Sequence, residues 1–338
     1  MKIKLRIGVL GVGHIAENFH IPAINRNKNI ELVAICDVNK KRISKIRKKF
    51  KVKKTYFKFN KMLLKENLDA VLISTPPKSH KKDILDAVKN KVNILVEKPF
   101  VKNLKDFKDL KKNFSSYKQY VQCALHQRYR PISIAAKSII EKKILGELYF
   151  INIIHRSFRG IPKHSEVFSK KILSGGGPLI DLGSHYFDLL SWILNFPKIN
   201  NSDCTIFKEI FKNNNSKKHL PFNYFDNEEM AVGNMKLKNK ILVNFELGYA
   251  NNLSNEKIKI EFFGTKGSYT WPNENYQILR KNKLFKKRFN LEKGLASDKQ
   301  IGAFCKNIIL KKNSNRNLKQ YEYIVKLIDN LYEKSQKN

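Results

Sequence analysis

Leu5-Arg6-Ile7-Gly8-Val9-Leu10-Gly11-Val12-Gly13-His14-Ile15-Ala16 reads as an apolar strand that runs into a glycine turn and leaves it as a helix. The strand spans 4–10, and Ile15, Phe19 and Ile24 recur beyond the turn at roughly helical intervals. Gly11 allows the tight turn, Gly13 lets the backbone approach a pyrophosphate, and Ala16 permits close packing of helix on strand. Free N–H groups and the helix dipole then face the phosphates. Such a motif alone is weak, but here the next apolar strand, 30–36, ends in an acidic residue, Asp37, which is the dinucleotide-binding context. Asp37 is expected to accept hydrogen bonds from the adenosine ribose hydroxyls and to repel a 2′-phosphate, which favours NAD. Lys40, Lys41 and Arg42 lie beside it, so NADP stays open; an exposed helix start explains them as well.

Outward from this unit the pattern repeats. A helix is expected over 41–50, a strand over 70–74 with a helix over 80–90, a strand over 93–96 with a helix over 104–114, and a short strand over 120–124. Strands alternating with helices predict a doubly wound α/β domain with a parallel sheet, a Rossmann fold, over residues 1–122. Beyond it the rhythm changes. A helix over 131–143, a strand over 147–155 and a helix over 179–194 are followed by strands over 204–210, 229–236, 240–249, 257–264 and 267–271 with no helices between them. Consecutive strands predict a second α/β domain, residues 123–338, with a large, mainly antiparallel sheet. A last helix is expected over 318–334, and 213–218 reads as an exposed loop.

Composition narrows the class. At 42% hydrophobic and 28% charged residues the chain has the balance of a folded, water-soluble protein. Four cysteines, Cys36, Cys123, Cys204 and Cys305, lie too far apart for a disulfide framework or a zinc site. No apolar run is long enough to span a membrane, and the first residues read as a strand instead of a signal peptide, which gives a cytoplasmic expectation. The net charge of +38 raises the question of polyanion binding. Lysines dominate it, and the dense clusters 40–54 and 102–118 are broken by apolar residues at helical spacing, as on the wet face of an amphipathic helix. No nucleic-acid motif accompanies them, so specific nucleic-acid binding is not expected.

Two further stretches carry chemistry. Glu97-Lys98-Pro99 ends the strand over 93–96, at the carboxyl edge where open α/β sheets bind ligands, which aims Lys98 at the nicotinamide end. Pro99 restricts the lysine's backbone. Ser74-Thr75-Pro76-Pro77 ends the preceding strand and is expected to wall the same pocket. The second stretch is Gly175-Gly176-Gly177-Pro178-Leu179-Ile180-Asp181-Leu182-Gly183-Ser184-His185-Tyr186-Phe187-Asp188. On a helix Asp181, His185 and Asp188 share one face, and a carboxylate beside an imidazole suits general acid–base work. A buried, satisfied histidine with Asp181 as a helix cap accounts equally well for the pattern. No metal site is expected there.

Taken together, these segments, with Phe19-His20-Ile21-Pro22-Ala23-Ile24 and Gly264-Thr265-Lys266-Gly267, resemble the glucose-fructose oxidoreductase and inositol dehydrogenase family, Gfo/Idh/MocA. The resemblance covers essentially the whole chain. It implies hydride transfer between a nicotinamide cofactor and a sugar, polyol or derivative, with Lys98 of E-K-P and Asp181 and His185 of D-x-G-x-H as the catalytic set. It also implies an open sheet that often mediates oligomerisation, hence a homodimer or homotetramer. His185 would take the hydroxyl proton, Lys98 would hold the reacting oxygen, and Asp181 would orient His185 or a neighbouring hydroxyl. Cofactor contacts are expected from Gly11, Gly13, His14, Ile15, Ala16, Asp37, Ser74, Thr75, Pro76, His80, Glu97 and Lys98. Substrate contacts are expected from Lys98, Gln127, Arg128, Tyr129, Arg156, Arg159, His164, Asp181 and His185. Two alternatives share these residues: a glycosidase-like hydrolase that retains NAD, and a cofactor-binding regulator without catalysis.

Overall fold

The computed structural model describes residues 4–114, 116–158, 160–162, 166–212, 224–238 and 240–336. They form two compact units, Met1–His126 with Gly294–Val325, and Gln127–Lys293 with Lys326–Asn338. Among the described residues no helix is long and apolar enough to cross a membrane.

The first unit is built on a six-stranded, all-parallel sheet of β1 (Leu5–Leu10), β2 (Ile30–Cys36), β3 (Lys54–Tyr56), β4 (Ala70–Ile73), β5 (Asn93–Val96) and β6 (Val121–Cys123). The strand order is β3-β2-β1-β4-β5-β6. It reverses between β1 and β4, and that crevice at the strands' carboxyl ends is where such sheets bind dinucleotides. Central strands are buried on both faces, which is why β4 is an unbroken Ala-Val-Leu-Ile run. One face is closed by a cluster that includes Ile84, Phe107 and Leu110, the other by Ile21, Ile24 and Ile46.

A two-block division at residue 122 misses a return of the chain. The helix Ala296–Ile309 contributes Ile301, Phe304 and Cys305 to the second cluster, and Tyr321 and Val325 of the helix Asn315–Ser335 join the first. Fully burying a side chain such as Phe304 contributes about 1.5–3 kcal/mol, which holds the return in place. Polar ties add to it: Arg26 grips Asp298 with a bidentate pair, and the Cys123 amide donates to Tyr321 Oη (2.9 Å).

The second unit carries an eight-stranded sheet of β7 (Leu148–Arg156), β8 (Ile199–Phe207), β9 (Met230–Leu237), β10 (Leu242–Gly248), β11 (Lys257–Gly264), β12 (Gly267–Trp271), β13 (Asn275–Arg280) and β14 (Lys283–Arg288). The order is β14-β13-β12-β11-β7-β10-β9-β8, antiparallel except for the parallel pair β7–β10. One face buries Ile151, Ile153, Phe245, Phe262 and Trp271. Helices Pro131–Glu141 and Gly183–Ile193 pack with each other in this unit, and Trp271 Nε1 donates to Ser133 Oγ (3.0 Å) on the first of them. The hairpin β13–β14 turns through Lys281 and Asn282, both at positive φ, and β14 is exposed throughout. Lysines along such an edge keep it from pairing with other chains.

Candidate active site

In the first unit, Gly11 sits at φ +81°, and a Cβ there would lie 2.6 Å from Ser74 O and 2.9 Å from Thr75 N. The turns after β1 and β4 therefore touch, and only glycine lets them. A Cβ on Gly13 would meet nothing within 4 Å, so the space beside that backbone is open, as a pyrophosphate requires. Ala16 is completely buried and begins a π turn, Ala16–His20, ahead of the helix Ile21–Arg26. His14 is exposed, and Ile15 half-buried. Asp37 is buried and held from both sides: Oδ2 accepts from Val12 N (2.9 Å) and Oδ1 from Asn39 N (2.8 Å). Each carboxylate oxygen has a second lone pair for a ribose hydroxyl. Lys40, Lys41 and Arg42 are exposed on the helix that Asn39 caps. The residues present fit a nicotinamide dinucleotide, which the glycine turn and Asp37 would hold.

Ser74 and Thr75 are half-buried and Pro76 exposed. Thr75 Oγ1 donates to Asp83 Oδ2 (2.6 Å), so its hydroxyl is already committed to the frame. His80 requires a correction. It is wholly buried with both ring nitrogens on backbone carbonyls, so it braces the pocket from behind and offers no group to a cofactor. At the end of β5, Glu97 Oε1 lies 2.5 Å from His20 Nε2, while Oε2 accepts from Lys98 N (3.0 Å). Burial raises the Glu97 carboxyl, but the His20 bond and the nearby positive charges outweigh it and the net shift is downward. A carboxylate held in this way supports the backbone of Lys98. Lys98 is half-buried, and its peptide bond to Pro99 is cis.

In the second unit, Asp181 ends the short helix Pro178–Asp181, and His185 lies in the first turn of Gly183–Ile193. Asp181 is buried and accepts from Tyr249 Oη (2.5 Å); His185 is half-buried. Burial, with Asp181's negative charge beside it, pushes the Tyr249 hydroxyl well up, so it stays a donor. Glu228 secures the glycine turn ahead of Asp181: its Oε1 accepts from Gly177 N (2.9 Å), Leu179 N (3.2 Å) and Tyr332 Oη (2.7 Å). Neither Tyr249 nor Glu228 was legible as a site residue.

Asp188 shares the helix with His185 but faces Arg128, in a pair of Nε–Oδ2 2.8 Å and Nη2–Oδ1 2.5 Å with Asp188 only 1% exposed. Arg128, expected at a substrate, is thus a structural counter-charge. Arg156 is corrected in the same way, since its guanidinium pairs with Glu246 across β7 and β10. Gln127 and Tyr129 are half-buried in the turn His126–Tyr129. Arg159, His164 and the loop 213–218 lie outside the described residues. A further cluster went unforeseen: His155 Nδ1 is 2.7 Å from Tyr186 Oη, and Ser157 Oγ donates to Glu256.

Residues 5–125 match the oxidoreductase family with an NAD-binding Rossmann fold, GFO_IDH_MocA, and residues 134–270 match the GFO/IDH/MocA C-terminal domain. The chain belongs to the Gfo/Idh/MocA family. Among relatives, it is 24% identical over 272 residues to a D-glucoside 3-dehydrogenase of Escherichia coli (strain K12), covering 79% of this chain and 76% of that one. It is 25% identical over 190 residues to a myo-inositol 2-dehydrogenase of Thermotoga maritima, where the match spans 56% of this chain and just 55% of the relative. A solved levoglucosan dehydrogenase, in complex with NADH and levoglucosan, shares the fold with a TM-score of 0.84 at 16% identity, over 99% of this chain and 98% of that one. As a member of this Gfo/Idh/MocA family, the chain is an oxidoreductase whose Rossmann unit binds NAD.

Proposed function

We propose that the chain oxidises a secondary hydroxyl of a sugar or polyol, or reduces the matching carbonyl, with Lys98, Asp181 and His185 as the reacting groups. The observation that carries this reading is the open space over Gly13 at the β1/β4 reversal, with Asp37 at the ribose end and Lys98 at the carboxyl edge of the same sheet. The bound nicotinamide would take up the hydride. Lys98 holds the reacting oxygen and stabilises its developing charge, and His185 takes the hydroxyl proton. Asp181, fixed by Tyr249, orients His185 or a neighbouring hydroxyl. Gln127 and Tyr129 complete the substrate contacts. Names of relatives, glucoside and inositol dehydrogenases, support the substrate class. The same reading takes NAD over NADP from Asp37, places the enzyme in the cytoplasm where that cofactor is recycled, and pairs copies through the outer face of the eight-stranded sheet.

The test combines a substrate panel with two variants. Methyl glucosides, myo-inositol and levoglucosan are offered with NAD or NADP, and cofactor reduction is followed by absorbance. Lys98→Met and His185→Ala should each lower kcat by orders of magnitude while NADH binding stays near wild type. Full turnover in both variants would overturn the assignment, and release of free sugar without net reduction would favour hydrolysis.

A further inference from the structure

His80 lies in the first turn of the helix Pro77–Lys89 and has no exposed surface. Its Nδ1 is 2.8 Å from Pro99 O and its Nε2 2.8 Å from Thr75 O. Both partners are backbone carbonyls, which only accept. A neutral imidazole carries one N–H, so the two bonds exist together only when both nitrogens are protonated. A carboxyl group stands one turn further along the helix: Asp83 is buried and accepts from Thr75 Oγ1 at 2.6 Å. Burial outweighs the Thr75 bond and the positive charge nearby, so the Asp83 carboxyl lies above its ordinary range.

The two carbonyls belong to different strand ends. Thr75 follows β4, in the turn packed against Gly11, and Pro99 follows Lys98 at the end of β5. One ring therefore spans the two turns that carry the cofactor wall and the lysine. From the other side of Lys98, the Glu97 carboxylate accepts from the lysine's own amide and is itself held by His20. The backbone is pinned immediately before Lys98 Cα by Glu97 and at the following residue by His80.

We propose that His80 is a positioning residue that acts as a doubly protonated bridge, locking the peptide segment of Lys98–Pro99 to the Ser74–Thr75 turn. The inference rests on the assignment of Lys98 to the reaction. With no exposed surface, His80 exchanges no proton with substrate; it sets where the lysine's stem begins, and misplacement on the scale of an ångström costs turnover by up to about a hundredfold.

Two measurements test it. In protein with 15N-labelled histidine, one of the eight histidines should show both ring nitrogens protonated, and that pair of signals should vanish in His80→Gln. A His80 ring with one protonated nitrogen would overturn the bridge. In His80→Asn and His80→Gln, each able to keep one bond, kcat on the best substrate of the panel should fall about tenfold or more well below the melting temperature, with the NADH Kd changed less than about threefold. Unchanged kcat in both variants would also overturn the proposal. Failure of the wild-type enzyme on every panel substrate would count against the assignment of Lys98, and the ring signals would still decide the state of His80.

Discussion

Gly11 and Gly13 stand two residues apart in one turn, yet the structure assigns their substitution opposite outcomes. Gly11→Ala forces an L side chain to φ +81° and drives its Cβ to 2.6 Å from Ser74 O, a backbone atom that cannot swing away. The left-handed conformation costs roughly 1–2 kcal/mol and the overpacking roughly 1–3 kcal/mol more, so a loss of about 2–5 kcal/mol is expected. At about 2–4 °C per kcal/mol for a domain of this size, the melting temperature should fall by roughly 4–20 °C. Gly13→Ala places its Cβ in open space, so stability should stay within about 0.5 kcal/mol of wild type. That methyl group fills the approach to the pyrophosphate. Loss of one charge-assisted hydrogen bond, about 1.5–3 kcal/mol, should weaken NADH binding about tenfold to a hundredfold. Calorimetric melting without cofactor and NADH fluorescence titration separate the two effects. Wild-type NADH affinity in Gly13→Ala would rule out a pyrophosphate against that backbone, and an unaltered melting temperature in Gly11→Ala would rule out the close contact with Ser74.

Other residues give further expectations. Asp188→Ala strands Arg128 without its buried partner and should destabilise the second unit by about 3–5 kcal/mol in denaturant unfolding, whereas replacing both by Met and Leu should largely restore it. Burial holds the His155 imidazole below its ordinary range against the charges of Glu256 and Asp181. The unfolded chain therefore takes up that proton first: the His155 contribution is complete above about pH 6.5 and is lost as pH falls toward the folded value, so the melting temperature should decline less on acidification in His155→Phe than in wild type. Tyr249→Phe removes the hydroxyl that donates to Asp181 and should lower kcat in the cofactor-reduction assay, together with about 1–3 kcal/mol of stability by thermal melting.

The glycine turn, Asp37 and the alternating strands made the Rossmann sheet legible because each element's own pattern agrees with its place in the fold. β14 was missed because Lys283, Lys286, Lys287 and Arg288 leave that edge strand no apolar face to announce it, although Lys281-Asn282 is the turn that joins it to β13. The helix Ala296–Ile309 went unread, and its apolar stripe of Ile301, Phe304 and Cys305 would have said that it packs but not on what. Lys98, Asp181 and His185 were read from local motifs, but their supports come from afar. Tyr249 is 68 residues from Asp181, and His20 is 77 from Glu97, so no local spacing could join them. The substrate arginines failed for the complementary reason: Arg128 and Arg156 read as free donors until Asp188 and Glu246 are seen beside them.

Hydride transfer from a carbon bearing a hydroxyl is the central claim, and isotope transfer tests it directly. Sugars and polyols deuterated at their ring carbons are incubated with the enzyme and NAD, and the recovered cofactor is weighed by mass spectrometry. Reduced NAD should carry deuterium with at least one of them, and with none in Lys98→Met. Unlabelled cofactor across the whole panel, with NAD and NADP alike and with NADH binding intact, would contradict that claim.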